Sequence, residues 1–437
     1  MHTSKSVSII EIRNESQQFN SLIARGAFGH VYLELLVRWE HAITGNCRTQ
    51  VNSVQLAAIK TIPNATNRSS GTLTKEVFAE LNVLRLLNGH INVTPLLGYH
   101  GTRDNFGGEW GYNALGSPSS LCLVFPYRPI DLAEALNYRR LKSFAECPQE
   151  QSHLPLDVVN SICCDILSAL KHLHSHNILH RDLTPSNLYI TKDGRIELGD
   201  FGLAKVIPID AKQMETETGL CTLQYRPPEL LLGDSGILHG KEASRGTMDI
   251  WSAGCIFAEL LTLSGPLFPG QSVLDQLARI FSILGTPTEE DWCGLSQLPD
   301  WNKVTFKQQP GKGLQDIFGK CLWSAGVPEL TSRMLALDPV KRPSAPHCLQ
   351  SFIINNGLWK NLQHESVVKA LIPSSLLIEE PLYTNSANVD RFAHAKLCAS
   401  TIATARRNFP HVDKLHNNRK WKCKSNTRCV VTAIKLI

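Results

Sequence analysis

The sequence contains no run of apolar residues that approaches the roughly 20 needed to cross a bilayer, so a membrane-spanning helix is not expected. Its N-terminus, MHTSKSVSIIEIRNESQQ, lacks the apolar core and the small-residue cleavage site of a signal peptide. No internal repeat or low-complexity tract is present. These absences favour a cytoplasmic or nuclear protein without membrane contacts. The chain has 437 residues, 43% of them hydrophobic, which is enough for a sizeable core.

Cysteine is present without an organised pattern. The thirteen cysteines form an odd number and show neither a repeated CxxC spacing nor paired histidine ligands. The sequence therefore predicts neither a disulfide framework nor a zinc site, and the thiols are expected to be reduced.

Acidic residues are scarce near the C-terminus. Residues 391–437 contain eleven Lys and Arg against one acid, Asp413, so this segment carries +10 and the rest of the chain carries −5 of the net +5. Such a basic tail could contact nucleic acid, an acidic partner or a nuclear import receptor, and the alternative is a solvated, partly disordered extension. No nucleic-acid binding is expected elsewhere in the chain.

Two motifs present in the sequence point to phosphoryl transfer. HRDLTPSN covers His180 to Asn187, and DFG covers Asp200 to Gly202. Transfer from a magnesium nucleotide needs an acid that accepts the proton of the attacking hydroxyl, and an acid and an amide that hold Mg²⁺ on the phosphates. Asp182 suits the first role, and Asn187 and Asp200 suit the second.

Three further motifs follow the order that this chemistry requires. AAIK ends at Lys60, which is expected on a strand and within reach of the phosphates, and Glu80 lies in a helical pattern from which it could pair with that lysine. PPE at Pro227 to Glu229 closes the segment that Asp200 opens. Each motif alone is weak evidence, but the ordered set indicates one catalytic site with Lys60, Glu80, Asp182, Asn187 and Asp200.

With these motifs the chain resembles the eukaryotic protein kinases over residues 19–354. The segment LFPGQSVLDQLARIFSILGTPTEEDW, from Leu267 to Trp292, and LCLVFPYRPIDLAEAL, from Leu121, resemble the cyclin-dependent kinases of the CMGC group. LPDWNKVTFKQQP from Leu298 and DLAE from Asp131 are closest to the cell-cycle-related kinase branch.

The resemblance implies an α+β, bilobal protein kinase fold with ATP bound between the lobes. The small, β-rich N-lobe with the Glu80 helix is expected over residues 19–124, the hinge over 125–130 and the larger helical C-lobe over 131–354. Residues 1–18 would be a polar leader, and 355–437 a basic C-terminal extension. We also expect 38–54 to form a loop, because it looks like an expansion between the Gly-rich strand and Lys60.

The Gly-rich loop is LIARGAFGHVY, from Leu22 to Tyr32, with Ala24 at the position of the family's first glycine. Gly26 and Gly29 retain the backbone freedom that lets amides approach phosphates. The residues expected to contact ATP are Ile23, Ala24, Arg25, Gly26, Ala27, Phe28, Gly29, Val31, Ala58, Lys60, Phe125, Pro126, Tyr127, Arg128, Asp131 and Tyr189.

Two positions depart from the family pattern. Thr184 replaces the lysine that neutralises charge on the transferred phosphate, a loss on the order of 3 kcal/mol of transition-state stabilisation. Tyr189 replaces a leucine beneath the adenine, so the pocket is shallower or the ring turns outward. These changes predict a slow enzyme or one that recruits a substitute cation, and they leave a pseudokinase scaffold as the alternative.

Regulation is expected to differ from that of typical cyclin-dependent kinases. Glu217 occupies the phosphothreonine position, and Ala79 and Lys205 replace two of its three arginines, so we expect Glu217 to pair with Lys205 and Arg181 without phosphorylation. The alternative is an exposed acid within METETG, with phosphorylation at Thr216, Thr218 or Thr222 left open. Ala27 and Phe28 carry no hydroxyl, so the inhibitory phosphorylation of the Gly-rich loop is excluded. The sequence leaves open whether a cyclin binds the Glu80 helix.

The resemblance also assigns substrate and structural roles. Arg226 matches the arginine that favours proline after the phosphorylated Ser or Thr, and so implies Ser/Thr-Pro protein substrates in cell-cycle or signalling control. Glu229 is expected to pair with Arg342, and Asp249 to hold the catalytic loop. Leu84 should pack towards His180 and Phe201.

Overall fold

The computed structural model describes residues 7–12, 21–26, 29–41, 49–63, 65, 73–102, 120–146, 153–207, 221–234, 246–319, 326–356 and 364–373. These residues divide into two compact units. The smaller unit contains the described residues up to Val77 together with Pro95–Arg128, and the larger contains Phe78–Thr94 and Pro129–Ile372.

The smaller unit is built on an antiparallel sheet in the order β1-β3-β4-β6-β5, and β2 also pairs with β3. The strands are β1 (Val7–Ile12), β2 (Ser21–Gly26), β3 (Gly29–His41), β4 (Thr49–Pro63), β5 (Gly98–Thr102) and β6 (Ser120–Pro126). Side chains of alternate residues at the end of β4, Ala57 and Ile59, are buried, as the two-residue period of a strand requires. β1 lies within the segment expected to be a polar leader.

The prediction of a loop over 38–54 is wrong. β3 continues to His41 and β4 begins at Thr49, and the two strands pair from His30↔Thr61 to His41↔Thr49. The register shifts by one residue of β4 between Arg38 and Trp39. The prediction rested on the length of the segment between the Gly-rich strand and Lys60. In the structure, residues at both ends of that segment pair with each other and lengthen the two strands.

The larger unit is mainly helical. Its short strands form two small antiparallel sheets, β10-β9-β7 and β11-β8. The strands are β7 (Ile130–Asp131), β8 (Ile178–Leu179), β9 (Leu188–Ile190), β10 (Ile196–Leu198) and β11 (Lys205–Val206). The helices are α1 (Lys75–Leu87), which begins in the smaller unit, α2 (Leu132–Glu146), α3 (Leu156–Ser175), α4 (Pro228–Leu231), α5 (Thr247–Thr262), α6 (Val273–Leu284), α7 (Leu314–Phe318), α8 (Val327–Met334), α9 (Ala345–Asn356) and α10 (His364–Leu371).

Two helices form most of the core of the larger unit. α5 is buried on every side, and it includes Trp251 and Phe257. α3 buries one face through apolar residues three or four positions apart, such as Ile162, Ile166 and Leu170. With a sheet in one unit and helices in the other, the predicted α+β class is confirmed. Among the described residues, no helix is both long and apolar enough to span a membrane.

Candidate active site

Asp182 follows β8 in the catalytic loop of the larger unit. The side-chain amide of Asn187 donates to the Asp182 carbonyl at 2.8 Å and to its Oδ2 at 3.3 Å. Asn187 ends a single 3-10 turn that begins at Pro185, which brings the amide back towards Asp182. Arg181 has a φ of 67°, a left-handed conformation that is uncommon outside glycine and that concentrates at functional sites.

Thr222 is a residue whose role in the site the sequence did not reveal. Its backbone N–H donates to Asp182 Oδ1 at 3.0 Å, and its hydroxyl donates to the same oxygen at 2.6 Å. Both bonds fix the orientation of the carboxylate. The only signal in the sequence was the position of Thr222 at the start of TLQYRPPE.

Backbone contacts hold Asp200 beside Asn187. The N–H of Gly199 donates to the Asn187 carbonyl at 2.9 Å, and the Gly199 carbonyl accepts from His180 Nε2 at 3.0 Å. Asp200 itself is exposed and has a φ of 54°. The Phe201 ring packs edge-on against His180, with ring centroids 5.2 Å apart. Three of the five predicted catalytic residues, Asp182, Asn187 and Asp200, therefore lie close together.

Asp249 holds the catalytic loop, as predicted. Its carboxylate accepts the backbone N–H groups of His180 and Arg181, both at 3.0 Å, and His174 Nε2 at 2.9 Å. Burial alone would raise the pKa of Asp249, but the hydrogen bond and charge of His174, with the charge of His180, hold that pKa below its ordinary value. Asp249 therefore stays ionised although it is buried.

The predicted pair of Glu229 and Arg342 is also confirmed. Two parallel hydrogen bonds of 2.7 Å join the guanidinium to the carboxylate, and both side chains are 0% exposed. The Arg342 guanidinium also lies 4.8 Å from the centroid of the Trp251 ring. This pair ties the PPE motif to the residues before α9.

The smaller unit places several expected nucleotide contacts next to each other. Val31 on β3 lies opposite Lys60 on β4, and Ala58 lies opposite Phe125 on β6. All four side chains are half-buried, as are Pro126, Tyr127 and Arg128. Ile23, Ala24, Arg25, Gly26 and Gly29 lie on β2 and β3, whereas Ala27 and Phe28 lie outside the described residues.

Asp131 and Tyr189 lie opposite each other in the β7–β9 pair of the larger unit. Asp131 accepts the Glu134 N–H at 2.8 Å, and so caps the start of α2. Burial raises the pKa of Asp131 to about 6, against the effect of the Glu134 and Ala133 N–H groups. The Tyr189 ring lies against Gly199, where a Cβ would be 2.6 Å from the ring, so a larger residue at 199 would force the ring to move. The effect of Tyr189 on the depth of the adenine pocket stays a prediction.

A family model for the protein kinase domain matches residues 43–353, which is more than half of the chain. The chain belongs to the protein kinase family. The expected bilobal α+β kinase fold is thereby confirmed, with a β-sheet N-lobe and a helical C-lobe. The matched residues begin after the Gly-rich segment, Leu22 to Tyr32.

Protein kinase domains in general use ATP and Mg²⁺. The donor set here suits that cation, because Asn187 uses its amide nitrogen on Asp182 and keeps its amide oxygen as an acceptor, and Asp200 supplies an exposed carboxylate. Carboxylate and amide oxygens are hard ligands of the kind Mg²⁺ prefers. Asn187 and Asp200 are the residues that would hold Mg²⁺ on the phosphates.

The other residues predicted to act in the site or in its regulation are Glu80, Leu84 and those around Glu217. Glu80 is 5% exposed and Leu84 is 2% exposed on α1. The pairing of Glu80 with Lys60 and the packing of Leu84 on Phe201 stay predictions. Glu217, Thr216 and Thr218 lie outside the described residues, so the proposed carboxylate substitute for a phosphothreonine stays a prediction too.

Proposed function

We propose that this kinase transfers the γ-phosphate of ATP to Ser or Thr in protein substrates, as the cyclin-dependent kinases do, and that it acts in the cytoplasm or nucleus in cell-cycle or signalling control. The observation that supports activity is the arrangement of Asp182, Asn187 and Asp200. These groups provide the proton acceptor and the metal ligands that phosphoryl transfer needs.

In the proposed mechanism, Asp182 Oδ2 accepts the proton of the substrate hydroxyl. Thr222 donates two hydrogen bonds to Oδ1, and the Asn187 amide donates one to Oδ2. ATP supplies the phosphoryl group when bound, and Mg²⁺ neutralises its charge. Asn187 and Asp200 would hold that cation.

One contact of Arg226 supports the proposed preference for proline. Its Nε donates to the Cys221 carbonyl at 3.0 Å, and its Nη2 donates to the same oxygen. A carbonyl directed at Arg226 is not available to accept the N–H of the substrate residue after the Ser or Thr. Proline has no N–H to leave unsatisfied, so it is favoured there.

Peptides that differ only in Ser-Pro or Ser-Ala test this specificity. The wild-type protein should phosphorylate the Ser-Pro peptide with the higher kcat/KM. Arg226→Met keeps the aliphatic stem without the donors. It should reduce the ratio of kcat/KM for the Ser-Pro peptide to kcat/KM for the Ser-Ala peptide by about tenfold. Equal rates on both peptides with the wild-type protein would refute proline direction, while leaving phosphotransfer itself intact.

The α1 helix suggests an activator surface. Phe78 and Leu86 are 56% and 52% exposed on the helix that carries Glu80. Large apolar side chains in water favour a protein partner, and a cyclin or cyclin-like protein is the partner that we propose. Phe78→Asp should weaken cyclin binding in a titration, and Lys75→Asp, an exposed position on the same helix, is the matched control.

A pseudokinase scaffold is the second candidate, and Thr184 favours it. This residue is 6% exposed and brings no cation to the catalytic loop. A scaffold would bind ATP without transferring phosphate, with or without a cyclin. The retained Asp182, Asn187 and Asp200 favour the active enzyme over this alternative.

A further inference from the structure

The α10 helix lies beyond the residues that match the kinase family, yet it packs tightly onto the larger unit. Val367 and Leu371 are 0% exposed, and Ile372 is 5% exposed. The helix contacts α3 and α2. Residues 364–372 of the C-terminal extension therefore belong to the larger unit, and their apolar side chains contribute to its core.

The first residue of α10 makes two specific contacts. His364 Nε2 donates to Asp165 Oδ2 on α3 at 3.1 Å. The His364 carbonyl lies against the turn between β9 and β10, where a Cβ on Gly194 would be 2.0 Å from its oxygen. Gly194 has a φ of 81°, so both its backbone conformation and the close approach of α10 require glycine.

Asp165 connects this contact to β10. It is 4% exposed, and its Oδ2 also accepts the N–H of Ile196, the first residue of β10, at 2.9 Å. A buried carboxylate oxygen needs such donors to replace its hydrogen bonds to water. The same oxygen therefore joins the extension helix to the strand that precedes Gly199 and Asp200.

The route from this strand to the proposed metal site is short. β10 ends at Leu198, and the next residue, Gly199, bonds Asn187. Asp200 follows immediately. One segment of five residues, Ile196 to Asp200, therefore connects the Asp165 contact to both proposed Mg²⁺ ligands.

We propose that His364 is a positioning residue that acts through Asp165 and β10 to fix Asp200 for Mg²⁺-dependent nucleotide binding. The metal part rests on the proposed function, whereas the positioning of β10 does not. Other contacts also hold β10 and limit the expected effect to a local one. The Asn92 amide donates to the Ile196 carbonyl at 3.0 Å, and Leu198 bonds the Asn92 carbonyl and the Thr94 N–H, both at 2.9 Å, so β10 stays attached when His364 is changed.

The test uses the full chain and four variants. His364→Met keeps much of the volume without a donor, His364→Gln restores an N–H donor, and Asp165→Asn removes the charge at the other end of the bond. Lys369→Ala is the matched control, because it removes only the exposed pair of Lys369 and Glu365 from the same helix. Hydrogen exchange at the Ile196 amide is measured without nucleotide, and ADP binding is measured across a range of Mg²⁺ concentrations.

We expect His364→Met and Asp165→Asn to accelerate exchange at Ile196 and to raise the Mg²⁺ concentration for half-maximal ADP binding, each by at least about fivefold. His364→Gln and Lys369→Ala should behave like the wild type. Unchanged exchange in folded His364→Met, or the same change in Lys369→Ala, would overturn the proposal. If the wild type binds no Mg²⁺-ADP, the proposed function fails, and the exchange rates of the four variants alone decide whether His364 positions β10.

Discussion

Four acidic residues of the larger unit lie in recognisable motifs, and two of them are far more buried than the other two. The structural acids, Glu229 and Asp249, are 0% and 1% exposed, and each carboxylate is held by at least two donors at 3.0 Å or less. Of the proposed catalytic acids, Asp182 is half-buried and Asp200 is exposed. Among the described residues, Asp182 Oδ2 accepts a single bond, at 3.3 Å.

The difference shows how burial separates structural from chemical roles. A fully buried, fully bonded carboxylate contributes to stability and cannot reach a substrate, whereas an acid with an accessible oxygen can accept a proton or ligate a metal. Substitution of the first pair should therefore reduce stability, and substitution of the second pair should reduce rate. The following experiments test that division.

The largest effect on rate is expected from Asp182→Asn. Loss of the proton acceptor should reduce kcat by about 10²- to 10⁴-fold, because general-base catalysis contributes about that much. Asparagine keeps an acceptor for Thr222, so the melting temperature should stay near that of the wild type. A large loss of stability without a loss of rate in the folded fraction would remove Asp182 from the catalytic pair.

The largest effect on stability is expected from Arg342→Ala. This change leaves the Glu229 carboxylate buried without its partner, and such losses cost about 3–5 kcal/mol in the free energy of unfolding. Urea denaturation measures it. Arg279→Ala is the control, because it breaks the exposed Arg279–Asp275 pair and should change the free energy of unfolding far less. Equal losses would contradict the distinction based on burial.

Thr184→Lys would sharpen the comparison by adding a cation to the catalytic loop. If the missing lysine limits the rate, kcat should rise by at least about tenfold, since a positioned donor contributes on the order of 3 kcal/mol. Thr184→Met has similar length without charge and should give no increase. A rise in both variants would show that charge is not the cause.

Thr222 is expected to affect kcat less than Asp182 does, because it acts only by orienting the Asp182 carboxylate. Thr222→Ala removes the 2.6 Å hydroxyl bond but keeps the backbone bond, so kcat should fall by about tenfold. Thr222→Ser retains the hydroxyl and should restore most of the rate. If serine were as slow as alanine, the methyl group and not the hydrogen bond would be responsible.

The smallest effect concerns pH and two stacked histidines, His90 and His172, whose ring centroids are 4.3 Å apart. Burial lowers the pKa of both. The neighbouring imidazoles, His172 for His90 and His176 for His172, lower these pKa values further, and for His90 the charge of Asp165 opposes the shift.

Below the ordinary histidine pKa of about 6.5, the unfolded chain binds protons at these two histidines more readily than the folded chain does. The stability that depends on the neutral imidazoles is therefore complete above about pH 6.5 and is lost as the pH falls through their lower pKa values in the folded state. Urea denaturation at about pH 7.5 and about pH 5.5 should show a smaller loss on acidification for His90→Asn than for the wild type. His347→Asn, at an exposed position, is the control and should leave the loss unchanged.

Sequence motifs predicted the kinase fold and the contacts of Asp249 and Glu229, because these residues occupy fixed positions relative to HRD, DFG and PPE. Contacts outside the motifs were not predictable. Asp182 and Thr222 are 40 residues apart, and Asp165 and His364 are 199 apart. Local periodicity carries no information about such pairs, which arise only when helices and turns pack. The close approach of the Tyr189 ring to Gly199 is a tertiary contact of the same kind.

Transfer of the γ-phosphate from magnesium ATP to a Ser-Pro peptide, with Asp200→Asn as the blank, tests the central claim most directly. The account predicts transfer above the blank by the wild-type protein despite Thr184. An absence of transfer, with or without a cyclin, by protein that binds magnesium ATP would contradict it and identify the chain as a scaffold.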